Sequence, residues 1–125
     1  MIDCGDEVCD RTLTAATNVH RELRPGLLET VYEAAMMIEL DRVGLRAARQ
    51  VEILVNYRGA PLGVGFRADI IVEQCLLLEL KAVKSLDDVH LAQVMTYLKI
   101  LNFKRGYLLN FNVPLLKQGI KRVSI

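Results

Sequence analysis

Three charged residues interrupt the most apolar part of the chain. Cys75-Leu76-Leu77-Leu78-Glu79-Leu80-Lys81-Ala82-Val83 carries Glu79 and Lys81 two apart. In a strand that spacing puts both on one face, with Leu78, Leu80 and Ala82 on the other. Burying such charges costs several kcal/mol per ion unless something compensates. Asp69 lies ten residues earlier, in Phe66-Arg67-Ala68-Asp69-Ile70-Ile71-Val72. A hairpin turn at Glu73-Gln74 would pair the two strands antiparallel and bring Asp69 beside Glu79 and Lys81. Two converging carboxylates form a hard-oxygen site for Mg²⁺ or Mn²⁺. An adjacent ammonium could contact a phosphate oxygen or an attacking water, as metal-assisted phosphodiester hydrolysis requires. A metal-free Asp69–Lys81–Glu79 ion network satisfies the same spacing.

The flanking helices supply more polar groups. His90, Gln93 and Tyr97 share one helical stripe, where the amide and phenol could position a phosphate or hold Lys81. Glu29 and Tyr32 are three apart beside the Arg24-Pro25-Gly26 break, and Glu29 could add a third carboxylate. His20 reads as a hydrogen-bonded core or edge histidine.

These residues need a scaffold. Apolar spacing predicts helices over 11–23, with Leu13, Ala16, Val19 or His20, and Leu23 inward, and over 27–43, with Leu28, Val31, Tyr32, Ala35, Ile38 and Glu39 as its stripe and Gly44 as its cap. Strands are expected at Val51–Tyr57, Leu62–Val72, Cys75–Val83 and Arg105–Phe111, with a short edge strand at Ile120–Ile125. Gly63 and Gly65 mark a bulge or a close backbone approach. Ser85-Leu86-Asp87-Asp88 resembles a capping box and opens a helix to about Leu101. The order ααβββαββ implies an α/β (α+β) layer structure.

The chain has 125 residues, of which 52% are hydrophobic, and a net charge of +1. That length suits one domain, 11–125, behind a loosely ordered acidic leader, 1–10. The high apolar content excludes disorder and requires some strands to be covered on both faces. No apolar run is long enough for a bilayer, and the acidic start does not look like a signal peptide, so a cytoplasmic location and no membrane association are expected. Cys4, Cys9 and Cys75 read as free thiols of a reducing compartment. Residues 1–10 hold four acids and no base, whereas residues 89–125 hold six bases and no acid. This basic third suggests an anionic partner, or a solvated face whose partners lie elsewhere in the fold.

Gly26-Leu27-Leu28-Glu29-Thr30-Val31-Tyr32 resembles the signature of the GxxExxY protein family. Further similar blocks are Val19–Leu23, Gly63–Asp69, Glu79–Val83, Gln93–Leu98, Leu109–Pro114 and Gly119–Arg122, so the resemblance covers about residues 11–123. That family looks like a compact branch of the PD-(D/E)XK nuclease superfamily, with a restriction-endonuclease-like core of helices flanking a central mixed β-sheet. By this resemblance Asp69 is the motif aspartate, Glu79 and Lys81 are its E-x-K, Gln93 and Tyr97 match a Q-x-x-x-Y helix, and Glu29 is the acidic residue of the early helix. Ala68 replaces the motif proline, and Arg24 replaces the first glycine of the family's Gly-Pro-Gly.

The acid and lysine set, together with the basic C-terminal third, points to a Mg²⁺- or Mn²⁺-dependent nuclease hydrolysing DNA by metal-activated water, with DNA favoured over RNA. Asp69, Glu79, the Leu80 backbone carbonyl and Glu29 would hold the metal, and Lys81 would orient the water. Lys99, Lys104, Arg105, Lys121 and Arg122 would contact phosphates without reading bases. The alternative is a catalytically silent nuclease-fold module that binds nucleic acid or protein. A protein partner supplying target choice would suit so small a chain, and the high apolar fraction with few aromatic residues suggests self-association as a homodimer.

Overall fold

The computed structural model describes residues 1–125. The elements are α1 (Asp6–Leu23), α2 (Glu29–Arg42), β1 (Ala47–Tyr57), β2 (Ala60–Val72), β3 (Leu76–Lys81), α3 (Asp88–Leu101), β4 (Arg105–Asn110), a 3₁₀ turn (Leu116–Gly119) and β5 (Ile120–Ser124). They follow the expected order. The strands form one mixed α+β sheet in the order β1-β2-β3-β4-β5, parallel only between β3 and β4. No helix is long and apolar enough to cross a membrane.

Strand β3 sits centrally and is covered on both faces. Leu76, Leu78 and Leu80 join Tyr32, Met36, Leu40, Tyr107 and Leu109 in the core beneath α1 and α2. Leu77 points the other way, into a smaller cluster with Val94, Leu98 and Leu108 beneath α3. Strand alternation therefore places Glu79 and Lys81 on the α3 face. Strands β1 and β2 run beyond β3 as a long hairpin. Within it a side chain at Gly65 would collide with the Ile53 carbonyl, so the close approach expected there is observed.

Several expectations need correction. The inward stripe of α2 is Tyr32, Glu33, Met36 and Leu40, whereas Val31 and Ile38 are exposed. Helix α3 is capped two residues later than expected. Asp87 accepts from the amides of Val89 (3.0 Å) and His90 (3.1 Å), and His90 Nδ1 accepts from the Asp87 amide (3.2 Å). His90 is thereby occupied in the cap.

Residues 1–10 are not a loose leader. Helix α1 begins at Asp6, Ile2 bridges Phe103, and Cys4 is joined to Cys75 by a disulfide with a Cα–Cα distance of 5.4 Å. Only Cys9 is a free thiol, and it is buried. The three-thiol expectation fails because the partners lie 71 residues apart and local spacing cannot report their approach. Closing a loop of that size constrains the unfolded chain by about 4 kcal/mol. Reduction, or Cys4→Ser, is expected to lower the thermal midpoint by several degrees, and Cys9→Ser is not expected to reproduce this. Thermal unfolding with and without reductant measures it.

Candidate functional site

The β2–β3 connection is Glu73-Gln74-Cys75, with positive φ at Glu73 and Gln74, 50° and 55°, and with the Cys75 amide donating to the Val72 carbonyl at 3.0 Å. It sets the register Val72↔Leu76, Ile71↔Leu77 and Ile70↔Leu78. Asp69 is next and lies opposite Glu79, one residue beyond the Leu78 that a two-residue turn would give, because Cys75 joins the connection. Here the strands part, and the side chain takes over from the backbone: Asp69 Oδ2 accepts from the Leu80 amide at 2.8 Å.

Glu79 is 4% exposed. Its Oε1 is buried and has no hydrogen-bond partner. Burial, followed by a hydrogen bond to Asp69 and repulsion from its charge, pushes the Glu79 carboxyl up to about 9, and Lys81 opposes the rise. The buried Glu79 carboxyl therefore keeps its proton through neutral pH. Lys81 nonetheless forms no ion pair with either acid; the chain's ion pairs lie elsewhere. The closed Asp69–Lys81–Glu79 network is therefore absent. Beyond Lys81 the chain is pinned by buried Asn110, whose Nδ2 donates to the Val83 carbonyl (3.0 Å) and whose Oδ1 accepts from the Val83 amide (3.1 Å). The sequence carried no signal for that role.

Tyr97 of α3 faces the pair. Burial and then the Glu79 charge raise its phenol, with Asp69 adding to the effect and Gln93, one turn earlier, opposing it. Its ring stacks on Phe66 of β2, with centroids 3.7 Å apart. Asp69, Glu79, Lys81, Gln93 and Tyr97 are therefore brought to one corner on the α3 face.

Glu29 is not. It lies exposed in the first turn of α2, and no group of three acidic, histidine or cysteine side chains able to hold a metal forms anywhere in the chain. The buried acid of α2 is Glu33, one turn on. Its Oε1 accepts from Arg49 Nε at 2.9 Å and its Oε2 from Gln50 Nε2 at 2.8 Å. Its spacing with Met36 and Leu40 in one buried stripe was the available signal. The rest of the G-x-x-E-x-x-Y segment is structural. Gly26 has φ 107°, a conformation that L side chains rarely adopt. The Tyr32 hydroxyl donates to the Arg24 carbonyl (2.6 Å) and accepts from the Leu27 amide (3.1 Å), and its ring stacks on Phe111. His20 is a satisfied core histidine, 2.7 Å from the Val113 carbonyl.

The basic third does not form one patch. Arg105 is occupied: its Nε binds Asp3 Oδ1 and its Nη1 binds Asp6 Oδ1, each at 2.7 Å. These contacts hold the Asp6 carboxyl below the usual carboxylate range and keep the guanidinium charged. Two acids of the sequence's start thus neutralise one base of its basic third, and Arg105 is lost as a phosphate ligand. Lys104 Nζ donates to the Ile125 carbonyl oxygen at 3.4 Å. Arg122 pairs in register with Tyr107 and Lys121 with Leu108. Because Tyr107 packs under α1 and Leu108 under α3, Lys121 shares the Asp69–Glu79 face and Arg122 does not. Lys99 is exposed on α3.

A family model described as the PD-(D/E)XK nuclease superfamily matches residues 6–123. No curated protein and no solved structure matches the chain.

Proposed function

Because this chain belongs to the PD-(D/E)XK nuclease superfamily, we propose that it is a divalent-metal-dependent nuclease acting on DNA, with its reacting centre at the Asp69–Glu79–Lys81 corner. The observation that carries this reading is the buried, unpartnered Oε1 of Glu79 beside the Asp69 carboxylate. Such a group is costly in a strand core unless it serves a ligand. The donors fit a hard cation, since both side chains offer only oxygen. Asp69 and Glu79, with the Leu80 carbonyl, would hold Mg²⁺ or Mn²⁺. Glu29 is left out of that set. A bound cation supplies positive charge against phosphoryl oxygens and acidifies water.

The chain's own residues supply the rest. The unpaired Lys81 ammonium donates to a non-bridging phosphate oxygen or to the incoming water and offsets charge as the phosphorane forms. Tyr97, fixed by its stack on Phe66, holds the phenol against the pair, and Gln93 orients it. Lys99 and Lys121 are the phosphate contacts best placed for a strand on this face. Removing Lys121 by Lys121→Ala is expected to weaken DNA binding and reduce the salt-dependence slope by about 1. Arg105→Ala is expected to leave that slope unchanged while destabilising the fold. Binding titrations at several salt concentrations check both.

The deciding experiment incubates the protein with Mg²⁺ or Mn²⁺ and single- or double-stranded DNA, with RNA in parallel. Metal-dependent cleavage supports the reading. A second reading, a silent nuclease-fold module that binds nucleic acid or protein, is favoured by the lack of a third acid beside the pair. Salt-dependent DNA binding with no turnover would select it.

A further inference from the structure

Asp69 lies where the side-chain alternation of the β1–β2 hairpin changes phase. In β1, Arg49 reaches Glu33 of α2, yet Val51 and Ile53 pack in the cluster beneath α3. In β2, Ile70 and Val72 lie beneath α1 and α2, yet Ala68 and Phe66 lie beneath α3. Residues two apart in a regular strand share a face, so both strands switch at the same place. That place is Gln50 opposite Asp69. The ladder also lapses there: Arg49 pairs with Ile70 and Val51 with Ala68, with no pair between.

The switch has a visible cause. Gln50 has φ 52°, a left-handed conformation disfavoured for a residue with a Cβ. Glu33, 5% exposed, grips the side chains of both Arg49 and Gln50. Consecutive residues of a regular strand point to opposite faces, so one carboxylate can hold both only because Gln50 is turned. Across the hairpin, Asp69 is released from the ladder and turns its carboxylate to the Leu80 amide and Glu79.

We infer that Glu33 is a positioning residue for the reacting corner: its grip on Arg49 and Gln50 maintains the phase switch that aims Asp69 at Leu80 and Glu79. The catalytic consequence rests on the nuclease reading, whereas the positioning does not.

Amide hydrogen exchange on the metal-free full chain tests the positioning, and Mn²⁺-dependent cleavage tests its consequence. Glu33→Ala leaves no buried charge unpaired, because the half-exposed Arg49 side chain can turn to water. In this variant the Leu80 amide is expected to exchange about tenfold faster, with Leu77 and Leu78 unchanged. Adding Gln50→Gly is expected to restore Leu80 protection, since glycine takes the left-handed conformation freely. Cleavage should follow the same order, falling in kcat at constant KM and recovering in the double variant. Unchanged Leu80 exchange in Glu33→Ala, or no recovery with Gln50→Gly, overturns the inference. Should Glu33→Ala fail to fold, Glu33→Gln keeps the volume and one acceptor, and unchanged Leu80 exchange there overturns it equally. If exchange responds as expected while no form of the protein cleaves, the positioning is upheld and the nuclease reading falls.

Discussion

Lys81→Met and Asp69→Ala are each expected to lower metal-dependent cleavage by about 10³-fold, with the folded structure retained. This scale is that of removing one preorganised charge from a reacting centre. Lys81 has no ion-pair partner, so its replacement breaks no salt bridge. Asp69→Ala leaves the Leu80 amide and the protonated Glu79 carboxyl without their acceptor, a cost of about 1–3 kcal/mol. Lys81→Met should therefore match the parent in thermal midpoint and Asp69→Ala should fall several degrees below it, while both stay folded and lose turnover. Single-turnover rates with Mn²⁺, alongside circular dichroism, make the comparison. Cleavage at the parental rate in either variant would refute the assignment of the reacting centre.

The second large effect concerns stability. Glu79 has an ordinary value of 4.5 and is raised to about 9 in the folded chain. Below pH 4.5 its carboxyl is protonated in both folded and unfolded chains, and it contributes no pH dependence. Above 4.5 the unfolded chain releases the proton first, so folding stability falls as pH rises, until the folded carboxyl also ionises near 9. The slope approaches 1.4 kcal/mol per pH unit at full coupling. Glu79→Gln removes it, and the stability difference between pH 5 and pH 8 should shrink by about 2–4 kcal/mol. Added Mn²⁺ should flatten the parental slope by favouring the ionised pair. Urea unfolding at stepped pH gives the result, and parallel profiles for parent and variant would count against it. The buried acid would then be a cost to the fold borne for its chemistry.

The helix and strand order was legible because each element's apolar spacing is a local property. The approach of Asp69 to Glu79 and Lys81 was legible from the hairpin, but its register was not: a two-residue turn at Glu73-Gln74 would set Asp69 opposite Leu78, and Cys75 joining the connection moves it to Glu79. Tyr97 and Gln93 were legible as one stripe of α3. The early acid was not. Glu29 and Glu33 are one turn apart on the same helix, and which of them is buried depends on how α2 rotates against the sheet.

The limit is one of range. Turns, caps and alternation are written within a few residues, where backbone geometry leaves few choices, and from them the chain's own sequence yields the α+β order and the Asp69–Glu79–Lys81 corner. The contacts that overrode the sequence reading join distant segments. Cys4 meets Cys75, Asp3 and Asp6 neutralise Arg105, and Glu33 turns Gln50 against its own strand preference. Each depends on where the sheet brings remote backbone together, so packing alone settled which charges are free, which are occupied, and how Asp69 is aimed.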